Sequence, residues 1–157
     1  MKTNILLIAL LLLFSIACNN SPKHASTNTH DETIKDSLTI KGTWERTSYY
    51  NYQDGIIADS FKTSEGNRHI KIFTKSKVMW CRNHEMDSTE WFGYGSYIIT
   101  DTLLTETLEY GSIKMSQFIE KNPEFIFKYT LEKDKFSQIQ IDEDGNPIFA
   151  ENYSRIE

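Results

Sequence analysis

The feature that most constrains this chain is a period-two alternation of apolar and polar residues that begins after Leu38 and runs almost to the carboxyl terminus. Such a rhythm puts successive side chains on opposite faces and builds strands with one face turned to a core. The first long stretch, 39–52, sets Ile40, Gly42, Trp44, Arg46, Ser48 and Tyr50 on one face. Further alternating stretches fall at 68–74, with Ile70 and Ile72, and at 77–83, 91–100, 103–110, 124–132, 135–142 and 148–156. Turn formers stand between most of them, such as Lys75-Ser76-Lys77, Asp101-Thr102, Lys133-Asp134 and the run from Asp142 to Pro147.

Two segments interrupt the rhythm. Residues 53–67, with Asp54-Gly55 and Glu65-Gly66-Asn67, read as a long polar connection. Residues 112–121 read as one short helix capped by Ser112, with Met115, Phe118 and Ile119 on one side and Asn122-Pro123 as its stop. There are no crossover helices and no internal repeat. About eight strands in sequence, joined mostly by short connections, close most naturally into an all-β antiparallel up-and-down barrel, because closure removes the free edges.

The amino terminus lies outside that domain. Lys2 is followed by the apolar run Ile5 to Phe14 and then by small residues, the pattern of a secretory signal over 1–17. The run is too short to span a bilayer comfortably. Ser15-Ile16-Ala17-Cys18 resembles a bacterial lipobox, with Ser15 standing where a Leu is expected. Cleavage would then precede Cys18, and the lipidated sulfur would anchor the chain to a membrane of the cell envelope, the outer membrane by preference. An ordinary signal peptide with an incidental cysteine is the alternative. Residues 18–38 are polar and read as a flexible tether, in which His24 and His30 are solvated. The folded domain is thus expected over 39–157. With Cys18 used by lipid, Cys81 is left alone and reads as a small buried hydrophobe, a Cys18–Cys81 disulfide being the other option.

A hydrophobic fraction of 39% with 13% aromatics excludes a wholly disordered chain. A net charge of -5 gives no electrostatic reason to expect nucleic acid or an anionic membrane surface as partner.

Gly42-Thr43-Trp44 at the first strand, the glycine-bearing Phe92-Gly93-Tyr94-Gly95-Ser96-Tyr97, the strand 105–110 and the final Glu151-Asn152-Tyr153-Ser154-Arg155-Ile156 carry a resemblance in their order along the chain. From about Lys41 to the end, the sequence resembles the small lipocalin-like lipoproteins of Bacteroidetes bacteria. The resemblance implies a calycin-type barrel whose first-strand Trp44 closes the base beneath Arg155 of the last strand. The pair would be structural, a guanidinium over an indole contributing roughly 0.5–2 kcal/mol.

If Trp44 points inward, parity carries Arg46 and Tyr50 inward with it, and a buried Arg needs a partner. Glu106 shares a face with Leu104 and Leu108, Glu151 with Phe149 and Tyr153, and Gln138 with Phe136. Two readings of such a lumen stand side by side. In one, Arg46, Glu106, Gln138 and Glu151, walled by Tyr50, Tyr94, Phe127 and Tyr129, contact a small hydrophobic or amphipathic molecule. In the other, they form an internal polar network that holds nothing else. In the strand 77–83, Val78, Trp80 and Arg82 oppose Met79 and Cys81, and Trp80 is placed inward. Arg82 is then either a surface side chain at a strand end or a second cation at the open end, fit for a ligand carboxylate or sulfate.

Other combinations carry less. Cys81-x-x-His84 with Glu85 and Asp87 lacks a second half for a metal site. His69 stands alone in a strand and reads as a surface or barrel-wall residue. Asp142-x-Asp144-Gly145 reads as a hairpin turn. There is no nucleophile motif, so no enzyme and no cofactor are expected; Glu106 and Glu151 would be the acid and base of any catalysis. The expected function is ligand binding in the lumen. Docking on another envelope protein, through the outer face or the 53–67 connection, is the alternative.

Overall fold

Nine strands and one short helix follow one another among the described residues of the computed structural model, which are 38–64, 66–86 and 88–157. The signal-like segment, Cys18 and the tether up to residue 37 lie outside them. The strands are β1 (Gly42–Gln53), β2 (Ile56–Lys62), β3 (Asn67–Phe73), β4 (Lys77–His84), β5 (Trp91–Ile99), β6 (Leu103–Gly111), β7 (Glu124–Leu131), β8 (Lys135–Ile141) and β9 (Pro147–Arg155); α1 (Ile113–Ile119) sits between β6 and β7. All the pairings are antiparallel, in the order β2-β1-β3-β4-β5-β6-β7-β8-β9, and β1 also pairs with β9 to close the barrel.

Strand β1 does double duty on one edge. Gly42 to Glu45 pair with β3, whereas Ser48 to Gln53 pair with β2. The closed barrel therefore has eight strands, and β2 is a ninth outside the closure. The expected polar connection over 53–67 thus contains a strand. Its signal was the Asp54-Gly55 pair, where φ of 53° and 77° gives the left-handed turn that matches the twist of a two-residue hairpin. Every residue of β2 is exposed, so apolar burial could not reveal it.

Alternate residues of each barrel strand fill the inside in three levels. At the base, Trp44, Phe73, Val78, Leu104, Phe136 and Tyr153 are buried. Phe136 lies 5.6 Å from Trp44, 5.8 Å from Phe73 and 5.5 Å from Tyr153, ring centre to ring centre. The next inward positions carry Arg46, Lys71, Glu106, Gln138 and Glu151, and the third level returns to apolar walls such as Leu108 and Phe125. Across the base, the Arg155 guanidinium covers Trp44 at 4.0 Å and donates to the carbonyls of Lys133, Lys41 and Thr39. The indole N–H of Trp44 donates to the Ile40 carbonyl at 2.7 Å.

At the opposite end, α1 lies against β5 and β6. Ser112 caps it by accepting the Met115 N–H, as the sequence led us to expect; of Met115, Phe118 and Ile119, Met115 is buried and Phe118 is exposed. Asp142 likewise organises the β8–β9 turn, accepting the N–H groups of Asp144 at 3.0 Å and Asn146 at 2.7 Å. Cys81 corrects its expectation: it is an exposed free thiol. Val78 and Trp80 occupy the inward phase of β4, which sends Cys81 outside.

Candidate functional site

The lumen above the base encloses a cavity of about 400 Å³. Trp80, Leu108, Met115, Phe125, Phe127 and Phe149 supply apolar wall, and Trp91 and Phe118 add to it with ring centres 6.3 Å apart. Its polar lining is a cluster built around two buried carboxylates, Glu106 and Glu151.

Lys71 is the pivot of that cluster, with only 2% of its surface exposed. Its Nζ donates to Glu106 Oε1 at 2.7 Å and to Gln138 Oε1 at 2.6 Å. Gln138 passes the interaction on, its Nε2 donating to Glu151 Oε2 at 2.9 Å, where the Tyr153 hydroxyl also donates at 2.9 Å. The other carboxylate oxygen of Glu151 receives Arg46 NH1 at 3.0 Å and Arg82 NH2 at 3.1 Å. His69 Nδ1 lies 3.3 Å from the same oxygen, within ion-pair range but outside hydrogen-bonding geometry, so neither ring nitrogen has a hydrogen-bond partner among the described residues.

The electrostatics follow from this crowding. Burial raises the Glu151 carboxyl pKa, but the His69 imidazole and the charges of Arg82 and Lys71 outweigh it and hold the group well below the usual carboxylate range. Burial pulls His69 down to about 4, against the smaller upward pull of Glu151, so the imidazole is neutral at physiological pH. Burial, reinforced by the negative charge of Glu151, pushes the Tyr153 hydroxyl well above its ordinary value. The Arg46, Lys71 and Arg82 cations face the Glu106 and Glu151 anions, an excess of one positive charge.

The structure brings together Trp80, Glu106, Phe127, Gln138 and Glu151 around the cavity, as parity placed them, and Arg82, left open between surface and lumen, lines it too while staying 43% exposed in its side chain. Arg46 reaches the cluster through Glu151. Three expected wall residues stand elsewhere. Tyr50 is displaced because the register of β1 on β9 shifts between Arg46 and Ser48, a bulge that inverts the inward phase. Tyr49 takes the inner place, opposite Glu151 and stacked on Phe149 at 5.3 Å. Tyr94 lies outside, 5.2 Å from Tyr110, because Gly93 and Gly95 hold the inward phase of β5. A Cβ on Gly93 would come within 2.9 Å of the Trp80 ring, so its absence makes room for the indole. Tyr129 keeps the inward phase but sits toward the base, where its hydroxyl donates to the Thr100 carbonyl at 2.7 Å.

Lys71 and His69 were missed. On β3 the apolar Ile70 and Ile72 suggested the core face, yet Ile72 is 38% exposed while His69 and Lys71 are buried. The usable signal was electrostatic: two carboxylates assigned to a lumen require a buried cation beside them.

Among the described residues, no group of three or more His, Cys, Asp or Glu side chains is arranged to hold a metal ion. No family model matches the chain, and no curated protein matches it. Among solved structures, an uncharacterized protein from Bacteroides eggerthii DSM 20697 is similar, with a TM-score of 0.49 and 17% identity over 73% of this chain and 98% of that one.

Proposed function

We propose that this chain is an exported, lipid-anchored, lipocalin-like protein whose barrel binds a small hydrophobic or amphipathic molecule in its lumen. The observation that carries the reading is the cavity of about 400 Å³, whose aromatic walls meet a polar cluster containing the buried, unpartnered His69. Apolar walls with a few convergent polar groups are the usual make-up of a small-molecule site. His69 is neutral at physiological pH and lines the cavity, so its ring has both a donor and an acceptor to offer a ligand polar group. Binding is favoured over catalysis, since Glu106 and Glu151 are both engaged by cations of the same cluster.

Trp80 and Trp91 supply the test. Native mass spectrometry of protein purified from its own envelope is expected to show an adduct lost on denaturation. Displacing it should change tryptophan fluorescence, and Leu108→Trp, which fills the cavity, should abolish both signals. A clean apo mass under gentle conditions, with a co-purifying protein, would sink the reading.

One observation favours docking as the second reading. The outer edge of β2 has no strand partner among the described residues, and Ile56, Ile57 and Phe61 are exposed along it. Loss of the co-purifying protein on Phe61→Asp would support it. The anchor is tested separately: Cys18→Ser should release the protein from the membrane fraction.

A further inference from the structure

We infer that the lumen ligand is an anionic amphiphile whose charged oxygen group sits between Arg46 and Arg82 at the cavity mouth, with its apolar tail among the aromatic walls. This rests on the lumen-binding reading. Beside the cavity lies a second recess of about 240 Å³, lined by Arg46, Arg68, Arg82, Asn67, His84 and Trp91. Arg82 and Trp91 line both spaces, so the basic recess adjoins the apolar cavity at those two side chains.

The guanidinium groups at that junction are under-used. A guanidinium has five N–H donors. Among the described residues, Arg46 and Arg82 each make one side-chain hydrogen bond, and both use the same oxygen of Glu151. Nε of Arg46 is buried with no hydrogen-bond partner among the described residues. Leaving a buried charged donor unmatched is costly, and a carboxylate, sulfate or phosphate oxygen satisfies it with a charge-assisted bond. Nε of Arg68 is held by Glu45 at 2.6 Å on an exposed side chain, so Arg68 adds its charge at the outer rim of the recess. The excess positive charge of the lumen cluster has the sign such a head group requires. Arg82 is 43% exposed in its side chain, which places its donors where an entering head group meets them.

The test is displacement of the neutral reporter N-phenyl-1-naphthylamine from the purified full-length protein at pH 8. The competitors are dodecanoate, dodecan-1-ol and acetate. Dodecanoate is expected to displace the reporter at roughly tenfold lower concentration than dodecan-1-ol, the worth of one charge-assisted contact. Arg82→Gln should bring the two to parity, and Arg82→Lys should keep part of the preference.

Equal displacement by the two in the natural protein overturns the inference while the lumen reading stands. The natural ratio remains decisive if Arg82→Gln does not fold. Acetate as effective as dodecanoate would also overturn it, by showing a bare anion site without a tail. Failure of the reporter and both long-chain competitors to bind removes the lumen reading itself.

Discussion

Arg155 and Trp44 face each other across the closed end, the guanidinium carbon 4.0 Å from the centre of a fully buried indole. The two residues are also paired in register between β9 and β1, so one contact joins the first strand to the last. Arg155→Ala removes the stacking and three hydrogen bonds to backbone carbonyls. We expect a loss of roughly 2 kcal/mol in urea unfolding, with Arg155→Lys recovering less than half, because an ammonium has no planar fork. A variant as stable as the natural protein would make the stacking incidental.

Lys71 and Glu106 form a buried ion pair with only 2% of each side chain exposed. Lys71→Met leaves Glu106 and Gln138 without their donor, and should cost about 3–5 kcal/mol. Replacing both partners, as Lys71→Met with Glu106→Leu, should recover most of it, since the uncompensated charge goes with the pair. Equal instability of the single and double variants would argue against the pair as the source.

Acid should destabilise the barrel in two windows. Unfolded His69 takes up a proton near pH 6.5, whereas the folded side chain resists until about 4. Stability is therefore complete above pH 6.5 and declines as the pH falls toward 4, by about 3 kcal/mol in all. Glu151 adds a second loss at lower pH: its folded pKa is depressed, so its contribution is present above its unfolded value of about 4.3 and fades below that. Urea midpoints measured across pH 7.5–4 should show the first slope in the natural protein. His69→Gln should flatten it.

Gly95 is required by approach distance. A Cβ there would run into the backbone carbonyl of Thr107 and Cα of Leu108 on the paired strand. Gly95→Ala should therefore cost about 3 kcal/mol or more. Gly55 provides the contrast, since a Cβ there meets nothing and only its φ of 77° matters. Gly55→Ala should cost only about 1–2 kcal/mol. Thermal melts of the two variants side by side would reveal an inverted order.

Much of this molecule was legible one residue at a time. Alternation marked the eight strands of the closed barrel but not β2, and parity placed Glu106, Gln138, Glu151 and Trp80 around one space. The same rule misplaced Tyr50 because one extra residue near Thr47 inverts everything after it, and periodicity cannot see a bulge whose only mark is the pairing across to β9. It misplaced Tyr94 for a different reason. Inward glycines beside outward aromatics look like a reversed strand until Trp80 is seen to fill the room they leave.

The sequence by itself therefore determined an all-β antiparallel barrel and the short capped helix, because those depend on local rhythm, turn chemistry and capping. Tertiary structure alone decided that Lys71 and His69 point inward against the apolar pull of Ile70 and Ile72, that β2 lies outside the closure, and that two arginines share one oxygen of Glu151. Burying a carboxylate is tolerable only with a cation beside it, and that partner is chosen by strands far apart in sequence.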